Sequence, residues 1–243
     1  MGREQHLLPP RERAARVAEK QALILQFLRA EIWSTPQNLG TLLGVKASAT
    51  YRTLGDLSRQ RLIRTARVPI LGGHASVWGI TTHGQAMAAP EGDVIKEKVF
   101  EPGRVSARYF QHIVDIQWLR IVAERQGWTQ WVNADRIDKW AKDTPRPDAF
   151  AINLQGLRVA IECERTIKTP SRYVEILSNW LQAIRRNEVD HVIWICPDER
   201  MRNRLQSIVT GITHLEIAGQ KILIPRERFE LLDFLTYSDW SSL

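Results

Sequence analysis

Three acidic residues stand out by their type and spacing. Asp148 opens the apolar run DAFAINL directly after Pro147, and after a spacer of 13 residues Glu162, Cys163 and Glu164 close the run LRVAIECE. Side chains alternate between the faces of a strand, so Glu162 and Glu164 share one face while Val159, Ile161 and Cys163 supply a buried one. Carboxylates on so apolar a strand are costly unless something neutralises them. A turn at Gln155-Gly156 makes the two runs a hairpin and brings Asp148 beside the glutamates. Carboxylate oxygens meeting at one point favour a hard divalent cation, Mg²⁺ or Mn²⁺, with Asp148, Glu162 and Glu164 as ligands and the Cys163 carbonyl as a further donor. Such a cation polarises a phosphate ester and acidifies a bound water, which is the chemistry of phosphodiester cleavage.

Other residues near this pattern fit the same chemistry. Glu164 can accept the proton of that water or take a second metal. Arg165, Lys168 and Arg172 follow the second strand and can hold phosphates. His112, on the preceding helix, can ligate the cation or donate to a phosphate. Plainer readings stand beside these: a solvent-facing strand ion-paired to Arg158 or Arg165, a solvated basic loop, and an ordinary helix histidine.

The elements that must position these groups alternate along the chain. A helix is expected over residues 104–127, a strand near 130–134, the hairpin, a crossover helix over 172–186 and a strongly apolar parallel strand over 189–196. A helix over 199–209 and a strand over 220–225 follow. The fold class is therefore α/β (α+β), a mixed sheet flanked by helices. Trp118, Trp180 and Trp194 fit its core, and Trp128, Trp131 and Trp140 fit either core or base stacking.

Upstream the chemistry changes. Of a formal net charge of +7, residues 1–88 carry all of it, and residues 89–243 balance 22 basic against 22 acidic groups. A basic block beside a neutral one points to two domains, 1–88 and 105–243, joined through 89–104, a stretch with Pro, Gly and no amphipathic period. Within the basic block the order is a long helix (11–33), a short helix (36–43) ended by Gly44, a third helix with Ser48 as N-cap and Leu54, Leu57 and Leu62 buried, then strands around Gly72-Gly73. That order resembles a winged helix-turn-helix, which presents its second motif helix to the major groove. On this mapping Lys46, Ser48, Thr50, Tyr51 and Arg52 face DNA, and Arg59, Arg61, Arg64 and the wing residue His74 lie near phosphates. Arginine outnumbers lysine 26 to 8, as suits bidentate phosphate contacts, although a GC-rich coding sequence gives the same bias.

Pro147-Asp148 followed by Glu162-Cys163-Glu164 resembles the PD-(D/E)XK nuclease signature, with Glu164 where that signature has Lys and Lys168 as its expected stand-in. The wider pattern of a winged helix, HIVD, RPD, IECERTIKTPSRY and WICPD is similar to plasmid mobilisation relaxases of the MobC type, within the replication-relaxation group. The resemblance spans essentially the whole chain. It implies a restriction-endonuclease-like fold, metal-dependent nicking of one strand at a plasmid origin of transfer, and an accessory or coupling mobilisation protein as partner. Other relaxases use a His-hydrophobe-His metal site and a nucleophilic tyrosine. The six histidines here include no His-x-His pair, so metal-activated water is expected, with Tyr109 and Tyr173 as core or DNA contacts. The rival expectations are a catalytically inactive DNA-binding regulator and an endonuclease cutting both strands.

Composition excludes several classes. The hydrophobic share is 44% and no stretch approaches a membrane span, so a disordered or membrane-inserted chain is not expected. Cys163 and Cys196, each in an apolar run, make neither a disulfide framework nor a zinc site, and suggest the reducing cytoplasm.

Overall fold

A computed structural model describes residues 9–93, 98–136, 146–217 and 219–242. The chain divides into two compact units, Met1–Trp118 and Leu119–Leu243.

The first unit begins with α1 (Pro10–Glu31), which ends where Ile32 takes a φ of 71° and donates its N–H to the Leu28 carbonyl. The next two residues form β1 (Trp33–Ser34). Thr35 then caps α2 (Pro36–Leu43), its Oγ1 accepting from the Asn38 amide at 3.2 Å, with Pro36 pre-set for the first turn. Gly44 closes α2 with a φ of 65°. Helix α3 (Ala47–Arg59) follows with Lys46 at its N-cap, so Ser48 is the second residue of the helix and not its cap. Leu54, Leu57 and Leu62 are buried, as their spacing requires. The hairpin of β2 (Ile63–Ile70) and β3 (Gly73–Ile80) runs in register from Ile63 opposite Ile80 to Ile70 opposite Gly73. β1 pairs with β3 to give a three-stranded antiparallel sheet, and α4 (Thr82–Met87) follows. This is a winged helix-turn-helix.

Part of the expected linker is structured. Phe100 is buried, donates its amide to the Ile80 carbonyl at 2.9 Å, and lies on Gly79 so closely that a Cβ there would sit 2.1 Å from its Cγ. Phe100, Val105 and Phe110 join Trp33, Val68 and Val77 in one apolar cluster. Helix α5 (Phe110–Arg125) consequently starts six residues later than expected, because Val105 leaves a short turn in extended conformation (φ −78°, ψ 112°) and is buried. The division between the units falls within α5. Residues 94–97 of the expected linker, and Trp140, lie outside the described residues.

The second unit contains β4 (Thr129–Asn133), β5 (Ala149–Ile152), β6 (Arg158–Cys163), α6 (Pro170–Arg185), β7 (His191–Cys196), α7 (Glu199–Thr210), β8 (His214–Ile217), β9 (Gln220–Leu223), β10 (Leu232–Thr236) and α8 (Tyr237–Trp240). Its five-stranded sheet has the order β10-β7-β6-β5-β4. β4, β5 and β6 are antiparallel neighbours, whereas β6, β7 and β10 are parallel. The expected strand at 220–225 pairs instead with β8 in a separate hairpin, and β10 takes the sheet edge.

Tyr173, Leu177 and Trp180 of α6, with Leu205 and Val209 of α7, cover the face formed by Ala160, Val192, Trp194 and Cys196. Each large apolar side chain so buried contributes about 1.5–3 kcal/mol. The face of β6 that carries the glutamates is therefore a covered face, not the solvent side: Ala160 has no exposure and Glu164 only 6%. Arg158, one candidate partner for those carboxylates, pairs with Asp190 through Nη2 at 2.8 Å and Nε at 3.0 Å.

Candidate functional site

Strand direction gathers the acidic groups. Because β5 runs antiparallel to β6, the residue before β5 and the residues ending β6 share one end of the sheet, the end from which the parallel strands point outward. Asp148 extends β5 by donating its amide to the Ile161 carbonyl at 3.0 Å, and its Oδ2 accepts from the Cys163 amide at 2.7 Å. Glu162 Oε1 accepts from the Trp180 indole N–H at 3.2 Å. Glu164 continues the β6 ladder by donating its amide to the Ile195 carbonyl at 2.9 Å. Its carboxylate accepts from the Tyr173 hydroxyl at 3.1 Å and is ion-paired with Lys168. Lys168 in turn donates its amide to the Tyr173 oxygen at 3.2 Å, and its ammonium stands 5.8 Å from the Tyr173 ring centroid.

The electrostatics follow from that crowding. Burial, then the neighbouring Asp148 carboxylate, push Glu162 well above the usual carboxylate range; Glu164 adds to this, while Lys168 and the Trp180 hydrogen bond oppose it. Burial, assisted by Glu164, also raises the Tyr173 hydroxyl, so it acts as a donor and not as an anion. The Cys196 thiol is pushed up to about 12, by burial first and then by Glu164 and Asp198.

Among the described residues no three His, Cys, Asp or Glu side chains are placed to hold a metal ion together. Glu164, expected as a third ligand, is instead engaged by Lys168 and Tyr173. The groups that could hold a cation without displacing those contacts are Asp148, Glu162 and the Cys163 carbonyl. Two mutually repelling carboxylates suit Mg²⁺, which commonly takes one or two protein carboxylates and completes its shell with water and substrate phosphate. The residues fit that ion without a closed protein cage.

The remaining expected site residues divide. Arg165 and Arg172 are exposed, Arg172 forming an ion pair with Glu175. His112 is half-buried on α5 in the first unit, whereas Asp148, Glu162 and Glu164 belong to the second.

In the first unit, Lys46, Ser48, Tyr51 and Arg52 are exposed along the first turns of α3. Thr50 is not: it is 1% exposed, its hydroxyl donates to the Lys46 carbonyl at 3.3 Å, and it packs against Gly40 of α2. Four of the five residues expected to face DNA are thus exposed, whereas Thr50 falls on the inward face of α3. Arg59, Arg61 and His74 are exposed, with Arg59 bridged to Asp56. Arg64 is exposed too, but its guanidinium donates to the Phe100 carbonyl and lies 5.6 Å from that ring's centroid, so it fastens the 98–105 segment.

The two units thus combine a winged helix with a carboxylate–lysine cluster, and a family profile spans both. The replication-relaxation model matches residues 25–209. The chain belongs to the replication-relaxation family. No curated protein matches it. Among solved structures, a mutant of Lactococcus lactis ZitR in apo form is 26% identical, over 32% of this chain and 58% of that one, with a TM-score of 0.27. The chain thus spans little more than half of that protein, and a likeness this loose carries no argument.

In this replication-relaxation protein, Asp148, Glu162, Glu164 and Lys168 are brought together with two neutral residues that the sequence reading did not assign to the cluster. Tyr173 is expected as a core or DNA contact and Trp180 as core; both are fully buried, and each also donates a hydrogen bond to a carboxylate of the cluster. The signal was available: Tyr173 lies nine residues after Glu164 and Trp180 seven after Tyr173, which puts both on the sheet-facing side of α6. Trp128 and Trp131 are each 7% exposed, and Trp128 packs edge-on against Trp240, which leaves them little face for base stacking. Among the described residues no helix is long and apolar enough to cross a membrane.

Proposed function

We propose that this replication-relaxation protein is a plasmid mobilisation relaxase that binds origin-of-transfer DNA through its winged helix and hydrolyses one strand with a PD-(D/E)XK-like site. The observation that carries the reading is the pairing of Lys168 with Glu164 beside Asp148 and Glu162. It returns an ammonium group to a site whose sequence has Glu in the motif's lysine position. The strand order supports it, with three antiparallel strands leading by a crossover helix to a parallel fourth.

In this mechanism Asp148, Glu162 and the Cys163 carbonyl hold Mg²⁺ or Mn²⁺. The bound cation supplies positive charge against the scissile phosphate and an acidified water. Lys168 presents its ammonium to the phosphate, where negative charge grows in the transition state. Glu164 and Tyr173 fix the position of Lys168, so their contribution is alignment. Trp180 orients Glu162. Arg165 and Arg172 hold flanking phosphates. Lys46, Ser48, Tyr51 and Arg52 read base edges, and Arg59, Arg61 and His74 contact the backbone. An accessory or coupling mobilisation protein is the expected partner in the cell.

The test uses the full chain, Mg²⁺, and supercoiled plasmid carrying DNA recovered by in vitro selection on the protein. Nicked circles that accumulate before linear product support the reading. Linear product from the outset makes it a double-strand endonuclease, and selective retention without cleavage in Mg²⁺ or Mn²⁺ makes it a regulator. A nicked strand whose mobility changes after protease treatment would replace hydrolysis with a covalent tyrosine link.

A further inference from the structure

The most exposed large apolar side chain of the described residues is at the tip of the wing. Leu71 is 77% exposed. It occupies the first position of the two-residue turn that joins Ile70 to Gly73. The turn does not need a leucine there. Its backbone demand falls on Gly72 and Gly73, with φ of 86° and 155°, whereas Leu71 is not among the residues of positive φ. A polar residue would close this hairpin equally well.

The surroundings of the tip point to what it meets. Pro69, paired with His74, is exposed beside it, whereas Ile70 turns partly back toward the cluster of Val68 and Val77. Arg67 and His74 are exposed just below, one on each strand. Residues 1–88 carry a net +7. An apolar point flanked by basic groups on a basic unit is complementary to an anionic duplex whose interior is apolar. Proteins that kink DNA use such points: Leu, Ile, Met, Phe or Pro enters between base pairs from the minor groove while nearby basic groups hold the backbone. Eight paired residues per strand at about 3.4 Å each give the hairpin the reach for it.

We propose that Leu71 is a wedge that enters a base step of bound duplex DNA, unstacking and kinking it, with Arg67 and His74 holding the adjacent phosphates. This rests on the DNA-binding reading above and adds to it a deformation of the target. Specificity then includes a preference for a flexible pyrimidine–purine step beneath the wing, read as the ease of opening it.

The experiment uses the full chain and a duplex recovered by in vitro selection on it, with 2-aminopurine placed in turn at each step and a dye at each end. Wild-type protein is expected to raise 2-aminopurine fluorescence at one step severalfold and to shorten the end-to-end distance. Leu71→Ala is expected to abolish both signals and weaken binding roughly tenfold with the salt slope unchanged, because no phosphate contact is lost. Leu71→Met is expected to retain both. Equal unstacking and bending by Leu71→Ala overturns the wedge. So does a wild-type complex with no unstacked step. A change of oligomeric state in Leu71→Ala with the DNA signals intact also overturns it and assigns the tip to another copy of the chain. If selection enriches no duplex at all, the DNA-binding reading itself fails, a result distinct from any of these.

Discussion

Lys168 holds its ammonium against the carboxylate of Glu164, four residues earlier, and the carboxylate is 6% exposed where the ammonium side chain is 43% exposed. A buried acid is thus neutralised by a cation that still faces solvent, so one residue serves both the packing of the sheet and whatever approaches its end.

Separating the two roles requires a pair of variants. Lys168→Met leaves Glu164 buried without its cation and is expected to cost about 1–2 kcal/mol, below the cost of breaking a fully buried pair because Lys168 is partly solvated. Lys168→Met/Glu164→Gln is expected to regain most of that in urea unfolding. Neither variant is expected to nick plasmid at more than about a hundredth of the wild-type rate. Restored nicking in the double variant would show that Lys168 serves only the fold.

Glu162 gives the protein a pH signature. Its carboxyl is raised well above the usual 4.5, so between 4.5 and its raised value the folded chain binds a proton that the unfolded chain has lost. Stability therefore falls as pH rises through that window. Glu162→Gln, which keeps an acceptor for the Trp180 indole, is expected to flatten this part of the curve and to melt above wild type at its upper end. Mg²⁺ is expected to raise the wild-type melting temperature there and to leave that of Glu162→Gln unchanged. Parallel pH–melting curves for the two proteins would contradict the assignment.

Thr50 and Arg52 separate a packed position from an exposed one on the same helix. Thr50→Val keeps the shape of a side chain that is 1% exposed and is expected to leave DNA affinity within about twofold. Arg52→Ala is expected to weaken binding by about 1–3 kcal/mol, with relaxed sequence preference if Arg52 reads a base, or with the salt slope reduced by roughly one if it meets a phosphate. Titration of the selected duplex at several salt concentrations checks both.

Gly79 tests the seating of the 98–105 segment. A Cβ at position 79 would overlap the Phe100 ring, so Gly79→Ala is expected to destabilise the first unit by about 3 kcal/mol. Gly79→Ala/Phe100→Ala is expected to cost less than the sum of its single changes. Strict additivity in a thermal or urea double-mutant cycle would show that the contact is not what excludes the side chain.

The parts legible in the sequence were those set by local chemistry and strand alternation. Thr35-Pro36 and Gly44 bound α2 as caps, Gly72-Gly73 mark the wing, and the apolar run over 189–196 is a central parallel strand. The carboxylate cluster emerged because Asp148, Glu162 and Glu164 are anomalous on apolar strands. What stayed hidden depended on tertiary partners. β1 is two residues long and exists only because β3 offers it hydrogen bonds. β10 lies beyond a separate hairpin, where no local signal tells a sheet edge from a loop. Phe100 sat in a Pro- and Gly-bearing stretch, yet Gly79 provides the space that orders it. The partners of Glu164 are likewise tertiary: Lys168 and Tyr173 reach its carboxylate only once α6 is packed on the sheet.

The most direct measurement is strand scission of supercoiled plasmid carrying the selected duplex, by wild type and Asp148→Asn in Mg²⁺. Nicked circles from the wild type, absent with EDTA and reduced at least about a hundredfold in Asp148→Asn at equal DNA affinity, are the expected result. Equal nicking by the two proteins, or nicking that survives EDTA, would contradict a metal-dependent carboxylate site at the end of β6.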